Sequence, residues 1–281
     1  MKENQRRAAA RFAAAVLSVS VASVVPAYGQ SAAPSAAASA SPDGMPDASA
    51  IYAKMVLAMS AQRSPSAASY DVTFTPRGLG LRIIDVRGKA VIHLAYISDS
   101  TPHLFHVTQS DDRDTSEIVD AVSRQRQIAE RPFWSVTWAG DRPGAASATP
   151  ADQTTVIESA REKAVADLLT ASDDAYGVTL VGIENLNGAA VYHLHLTAQN
   201  AAAHPLTDLF VDERSFLARR AVAGFTDHTV ATVTGVITLN FWQVGRYWML
   251  TSGEVDATVH AFFRQVSGSA TFASSNLTFP R

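Results

Sequence analysis

The dipeptide Asn187-Gly188 constrains the fold of this 281-residue chain more than any other short stretch. It lies between two runs, residues 177–185 and 189–197, in which apolar and polar side chains largely alternate. Asn and Gly both tolerate the positive φ that a type I′ turn requires, so Asn-Gly between alternating runs is a strong indicator of a β-hairpin. The sequence therefore predicts two antiparallel strands joined at this turn.

A second tight turn is predicted at residues 212–215, because Asp212 can accept hydrogen bonds from the backbone just after it. The turn separates residues 205–212 from residues 216–222, which both have β character. Together with the Asn-Gly hairpin, these segments predict four strands that run up and down as a meander.

The first 29 residues have the organisation of an export signal. A basic start precedes a largely apolar run at residues 12–25, and small residues occupy positions 27 and 29. The apolar run is too short for a stable membrane span. We therefore expect an exported protein, periplasmic or extracellular, that is cleaved near Gly29 and has no membrane span in its mature chain.

The mature chain divides into a linker and one domain. Residues 30–48 are rich in Ala, Ser and Pro, a composition typical of flexible linkers. Residues 49–281 are numerous enough to bury a sizeable core, so a single domain is predicted there.

Cysteine content and charge exclude several classes of function. The chain has no cysteine, which rules out disulfides, thiol catalysis, cysteine-bound metal and a lipid-modified N-terminal cysteine. Its formal net charge is −3 even with the basic leader included, and it contains no strongly basic run. This composition offers no electrostatic footprint for nucleic acid.

The order of predicted elements indicates an α+β fold. Helices are predicted at residues 49–62 and 152–170, while residues 229–279 form a continuous antiparallel run without a helix. Within that run, strands are expected at residues 247–251 and 254–263. Residues 111–138 fit either a helix or a pair of strands. Strands in succession with only a few helices argue against alternating βαβ units.

Four segments, residues 191–196, 208–212, 216–220 and 237–248, together resemble a known group of proteins. This group is the LolA/LolB-like superfamily of exported proteins, which includes lipoprotein carriers and RseB-type sensor domains. Residues 208–220 show an element that is frequent in this superfamily, a strand that ends in Val-Asp, a short turn, and then aliphatic and basic residues. The resemblance implies a strongly curved antiparallel sheet, an incomplete β-barrel, with helices covering the open face.

The resemblance also implies a non-enzymatic carrier or sensor, whose concave face holds a lipid, an acyl chain or another hydrophobic ligand. An alternative is a cell-envelope interaction or sensor domain with a filled core, which recognises an envelope protein through its rim or a sheet edge. Eight apolar side chains are predicted to line the ligand cavity: Tyr192, Leu194, Leu196, Leu209, Val211, Ile237, Leu239 and Phe241.

His193 and His195 project from the same face of a predicted strand, because they are two residues apart. Two imidazoles at this spacing can share zinc or copper if a third ligand arrives, for example from His204, Asp208 or Asp212. The competing interpretation is that the histidines form the polar, solvent-facing side of the strand. We predict no cofactor for this protein.

The sequence contains no pattern that points to catalysis. A Gly-x-Ser-x-Gly nucleophile turn is absent, and Ser267-Gly268-Ser269 fits a turn between strands. Asp167 lies on a predicted helix among other charged residues, a pattern typical of a solvated face. We therefore expect a protein that is not an enzyme.

Overall fold

The structure is a computed structural model, and the described part of the chain has several gaps. The predicted export signal, most of the predicted linker and residues 111–138, for which the sequence fits either a helix or two strands, lie outside it. The described residues are 46–62, 65, 67–77, 90–97, 100–110, 154–170, 175–227, 232–261 and 264–279.

Two α-helices and ten β-strands make up the described residues. The helices are α1 (Ala48–Ser60) and α2 (Thr154–Leu169). The strands are β1 (Ala67–Arg77), β2 (Ala90–Ile97), β3 (Ser100–Ser110), β4 (Tyr176–Leu186), β5 (Ala189–Ala198), β6 (Leu206–Asp212), β7 (Ala218–Asp227), β8 (Thr232–Val244), β9 (Tyr247–Ala261) and β10 (Arg264–Thr278).

All ten strands belong to one antiparallel sheet, in the order β3-β2-β1-β10-β9-β8-β7-β6-β5-β4. Strands β4 to β10 follow one another as a meander, and β10 then returns to pair with β1. Within the described ranges, β3 and β4 form the two edges and the sheet is not closed. The α+β class with an open, curved antiparallel sheet is therefore confirmed.

Both predicted turns are present. Asn187 and Gly188 have φ values of 53° and 83°, which join β4 to β5 as a two-residue hairpin. In the β6–β7 turn, the backbone amides of Arg214 and Ser215 donate to Asp212 Oδ1 at 3.1 and 2.9 Å. Local sequence was therefore sufficient to specify both chain reversals.

Alternation along the strands separates a buried face of the sheet from an outward face. On β5, Tyr192, Leu194 and Leu196 are at most 9% exposed, whereas His193 and His195 point to the other side. We call the buried side the inward face and the histidine side the outward face. The predicted arrangement of this strand is confirmed.

Both helices bury apolar side chains in the same core cluster as the inward face. Met55 and Met59 of α1 and Leu168 of α2 are fully buried. Asp47 caps α1, because its side chain accepts a hydrogen bond from the Ser49 amide in the first turn. Helix α1 packs on α2, and α2 packs on β7, so the pair covers the inward face.

Two sequence expectations for the C-terminal strands are wrong. The strands expected at residues 247–251 and 254–263 form one strand, β9, and Ser267-Gly268-Ser269 lies inside β10 rather than in a turn. Gly253 does not interrupt β9, because it is hydrogen-bonded in register between β8 and β10. The Phe272 ring of β10 lies against it, where a side chain at position 253 would otherwise be.

Gly253→Ala should lower the free energy of unfolding by about 1–3 kcal/mol, the usual cost of overpacking a core. A Cβ at this position would overlap both the Phe272 ring and the Thr238 carbonyl oxygen. Urea unfolding of the mature protein measures the loss. Gly182→Ala is the matched control, because a Cβ there meets nothing within 4 Å. Equal unfolding midpoints for the two variants would contradict this packing.

Candidate functional site

The eight residues predicted to line a ligand cavity all lie in the described core, with exposed fractions between 0% and 9%. All eight belong, together with residues of α1 and α2, to one cluster of buried side chains. Ligand binding by these residues therefore stays a prediction. They are Tyr192, Leu194, Leu196, Leu209, Val211, Ile237, Leu239 and Phe241.

A groove of about 1200 Å³ lies near the connection between β5 and β6. Leu196 is the one member of the predicted set that contributes to it. The groove is lined by His195, Leu196, Thr197, Ala198, Ala201, Ala202, His204, Pro205, Leu206, Thr207, Gly224, Phe225, Thr226, Thr234, Gly235, Val236, Asp256, Ala257, Thr258, Ser267, Gly268 and Ser269.

Exposure of the lining residues indicates that the groove opens on the outward face. The inward-pointing members Leu206 and Phe225 are only 1% and 8% exposed, so their side chains belong to the core. Val236, which points outward from β8, is 43% exposed, and Asp256 beside it on β9 is also exposed. The groove thus lies on the opposite side of the sheet from the predicted cavity.

The two histidines of β5 contact carboxylates on neighbouring strands. His193 Nδ1 lies 2.7 Å from Glu184 Oε1, and its Nε2 lies 3.1 Å from Asp208 Oδ1. His195 Nδ1 is 3.2 Å from the same Asp208 oxygen. Burial acts to raise the pKa of Asp208, but the hydrogen bonds from the two histidines outweigh it and hold that pKa below its usual range.

Of the three candidate third ligands, the structure thus places Asp208 beside the histidine pair, whereas His204 contacts Asp167 and Asp212 contacts Arg219. Across the described ranges, however, no group of three or more His, Asp or Glu side chains is arranged to hold a metal ion. The Phe210 ring stacks on His193 at 4.4 Å. These contacts support the interpretation that the histidines form a hydrogen-bonded polar surface.

Asp167 is buried at 7% exposure, so the interpretation of its helix side as a solvated face is wrong for this residue. The Tyr176 hydroxyl donates to Asp167 Oδ2 at 2.5 Å, and His204 Nδ1 lies 3.0 Å from Oδ1. The Leu206 amide donates to the Tyr176 hydroxyl, and the Tyr52 hydroxyl donates to the Asp167 carbonyl. This polar node joins both helices to β4 and β6.

Helical spacing was the available sequence indication for this node. Ala160, Ala164 and Asp167 fall on one side of α2, and both alanines are buried. Burial raises the pKa of Asp167 despite the hydrogen bonds from Tyr176 and His204, and the same burial with the Asp167 carboxylate raises the pKa of Tyr176. Ionisation of Asp167 therefore costs stability as the pH rises from the ordinary carboxyl pKa towards the raised one.

Asp212 stabilises the β6–β7 turn with a charge. Its Oδ2 lies 2.6 Å from Arg219 Nη2 and 2.7 Å from Nε, and the Arg219 guanidinium lies over the Trp242 ring at 4.8 Å. Burial acts to raise the pKa of Asp212, but the Ser215 amide and the guanidinium together lower it. The stabilisation is therefore complete above the ordinary carboxyl pKa and is lost as the pH falls through the lowered value.

Asp212→Asn should lower the free energy of unfolding by about 2 kcal/mol at neutral pH, because it removes charge-assisted hydrogen bonds. The deficit should shrink as the pH is lowered through the acidic range, where the wild-type carboxylate takes up its proton. Denaturant unfolding at a series of pH values measures both effects. The exposed Asp256→Asn serves as control, and a deficit of constant size at every pH would refute the assignment.

Tyr176→Phe should cost about 2 kcal/mol of unfolding free energy, because the buried Leu206 amide and Asp167 carboxylate lose their shared partner. Tyr52→Phe removes a single 3.2 Å bond to a carbonyl and should cost less. Thermal and urea unfolding of the two variants provide the comparison. Equal losses would show that Tyr176 has no special place in the node.

The geometry defines a class: an α+β protein with an open antiparallel sheet, two helices on its inward face and a groove on its outward face. No protein-family model and no curated protein matches the sequence. Neither described helix is long and apolar enough to cross a membrane.

Solved structures similar to this chain include proteins of the superfamily that the sequence resembles. A domain named for outer membrane lipoprotein sorting, from Vibrio parahaemolyticus, shares 13% identity with a TM-score of 0.39, covering 83% of this chain and 92% of that one. A LolA superfamily protein from Nitrosomonas europaea shares 10% identity with a TM-score of 0.32, covering 83% and 94%.

A third similar structure is the complex of MucA and MucB from Pseudomonas aeruginosa, which shares 10% identity with a TM-score of 0.23, covering 81% of this chain and 93% of that one. At these TM-scores the likeness says nothing about the ligand or partner of this chain.

Proposed function

We propose that this protein is an exported, non-catalytic binding domain that holds a hydrophobic or amphiphilic ligand, such as a lipid or an acyl chain. The observation that carries the proposal is the outward groove of about 1200 Å³. Typical ligand pockets measure about 300–1,000 Å³, so the groove has room for a ligand of at least that class. Export is proposed from the leader sequence alone.

The groove offers an apolar contact where a ligand can reach it. Val236 is one of the few large hydrophobic side chains that stand exposed on the described surface, and it lies in the groove. Gly224 of β7 is paired with Val236, and a Cβ at Gly224 would meet only Thr207 Cγ2 at 3.9 Å, so a ligand can approach the backbone there. Ala201 and Ala202 of the β5–β6 connection add exposed apolar side chains to the lining. Covering such a surface is favourable because it removes apolar area from water.

A second candidate function is binding of an envelope protein at a sheet edge. It is favoured by β4, which is an edge strand of the described sheet and exposes Val181 and Ile183 at 57% and 52%. An extended partner segment could add a strand there through backbone hydrogen bonds. The filled inward face is compatible with this function as well.

Native mass spectrometry of the mature protein, purified from its own host, tests the first function. A mass adduct that is lost on denaturation and recovered in an organic extract is the expected result. A bare protein mass, together with no uptake of added acylglycerol or fatty acid, would overturn ligand binding and leave edge binding as the remaining proposal.

Val236→Gln should weaken binding of an added acyl-chain ligand roughly tenfold, because it places an amide against the apolar ligand. Val181→Gln is the matched control, since it alters another exposed valine, on β4 and outside the groove. Equilibrium dialysis with a radiolabelled monoacylglycerol measures both affinities. Equal weakening by the two variants would place the site elsewhere.

A further inference from the structure

Apart from two histidines, the lining of the groove contains one ionisable side chain, and it is acidic. Among its 22 residues, Asp256 is the single acidic side chain, and neither Lys nor Arg occurs. Asp256 is exposed on the outward face of β9, next to Val236 of β8. A ligand that covers Val236 therefore brings part of itself close to a carboxylate, with no lysine or arginine of the lining to offset that charge.

Two further carboxylates add negative charge near the groove. Glu254 lies two residues from Asp256 on the same face of β9. Asp208 lies on the outward face beside His195, which itself lines the groove, and its lowered pKa keeps it ionised at neutral pH. The Arg220 guanidinium of β7 donates to the Asn240 side chain and lies over the Phe210 ring. None of these three residues lines the groove. The Lys163 ammonium donates to the carbonyl of the lining residue Ala202 at 2.7 Å, so the cation nearest the groove lies beside the β5–β6 connection. Asp256 lies on the other side of the groove, on β9, and negative charge therefore dominates there.

Hydroxyl groups supply most of the remaining polarity. Thr258 and Ser267 are hydrogen-bonded to each other at 2.9 Å across β9 and β10, and the Thr207 hydroxyl donates to the Val222 carbonyl. A hydroxyl can donate one hydrogen bond and accept two, so these groups keep capacity for a ligand after their internal bonds are made. Such groups match an uncharged head that carries its own hydroxyl or amide groups.

An anionic head would be at a disadvantage in the same place. It would lose part of its hydration and stand near Asp256 without a compensating cation, and both effects disfavour the charged form. Discrimination by such an uncompensated like charge is a common means of ligand specificity.

We propose that the groove selects amphiphiles whose head carries no negative charge, with a monoacylglycerol as the model ligand and a fatty-acid anion as the rejected analogue. This inference rests on the proposed function, because it presupposes that the groove binds an acyl chain. It adds the chemical class of the head and identifies Asp256 as the residue that excludes anions.

The test compares 1-monolauroylglycerol with laurate, which share one acyl chain and differ in head charge. Calorimetric titration of the mature wild-type protein, at a pH where laurate is ionised and with each amphiphile below its micelle concentration, gives both affinities. We expect the neutral amphiphile to bind about fivefold tighter at low salt, the upper range for one exposed charge interaction. The preference should decline as salt is added.

Asp256→Asn should raise the laurate affinity until the preference disappears, and should leave the monolauroylglycerol affinity unchanged. Glu213→Gln removes the same charge from the β6–β7 turn, outside the groove lining, and should change neither affinity.

The outcomes separate the two proposals. If neither amphiphile binds the wild type, the proposed function itself fails. If both bind with equal affinity and Asp256→Asn changes nothing, ligand binding stands and selection by Asp256 is overturned. Tighter binding of laurate by the wild type would overturn it as well.

Discussion

The packing of two helices against one face of the sheet is the interaction on which the rest of this structure depends. An antiparallel sheet buries one face and leaves the other to solvent, provided that something covers the first. Here Met55 and Met59 of α1 and Leu168 of α2 supply the cover. Because these side chains belong to the same buried cluster as Leu239 and Phe241, the inward face becomes core. The open groove is then left on the outward face.

Two buried carboxylates, Asp167 and Asp212, stabilise this arrangement. Their pKa values are shifted in opposite directions. Asp212 faces a guanidinium, so its ionised form is favoured and its pKa falls. Asp167 is more thoroughly desolvated and is held mainly by Tyr176 and His204, so its pKa rises. Acid therefore weakens the β6–β7 turn, because it protonates Asp212. It also removes the unfavourable buried charge of Asp167, which joins the helices to the sheet. The contributions of these two carboxylates to the pH dependence of stability therefore have opposite signs.

Local patterns in the sequence were sufficient for much of the fold and insufficient for the site. The Asn187-Gly188 hairpin and the Asp212 turn depend on residues that determine their own backbone, and both form as predicted. The expected break near Gly253 does not form, because Phe272 on another strand fills the space beside it. Asp167 was assigned to a solvated surface, although its partners Tyr176 and His204 are 9 and 37 residues away in the chain. Contacts of that length have no local signature.

The sequence by itself determined which side chains of each strand share a face, because alternation with a period of two is a local property of the strand. It determined the two chain reversals for the same reason, and it predicted the α+β class from the order of elements. Only the tertiary structure decided that Tyr192, Leu194 and Phe241 are buried in one cluster with residues of both helices. It also decided that the groove lies beside Val236 and Asp256. Whether an apolar face encloses a cavity depends on how closely distant elements approach one another, and residue type alone does not set that distance.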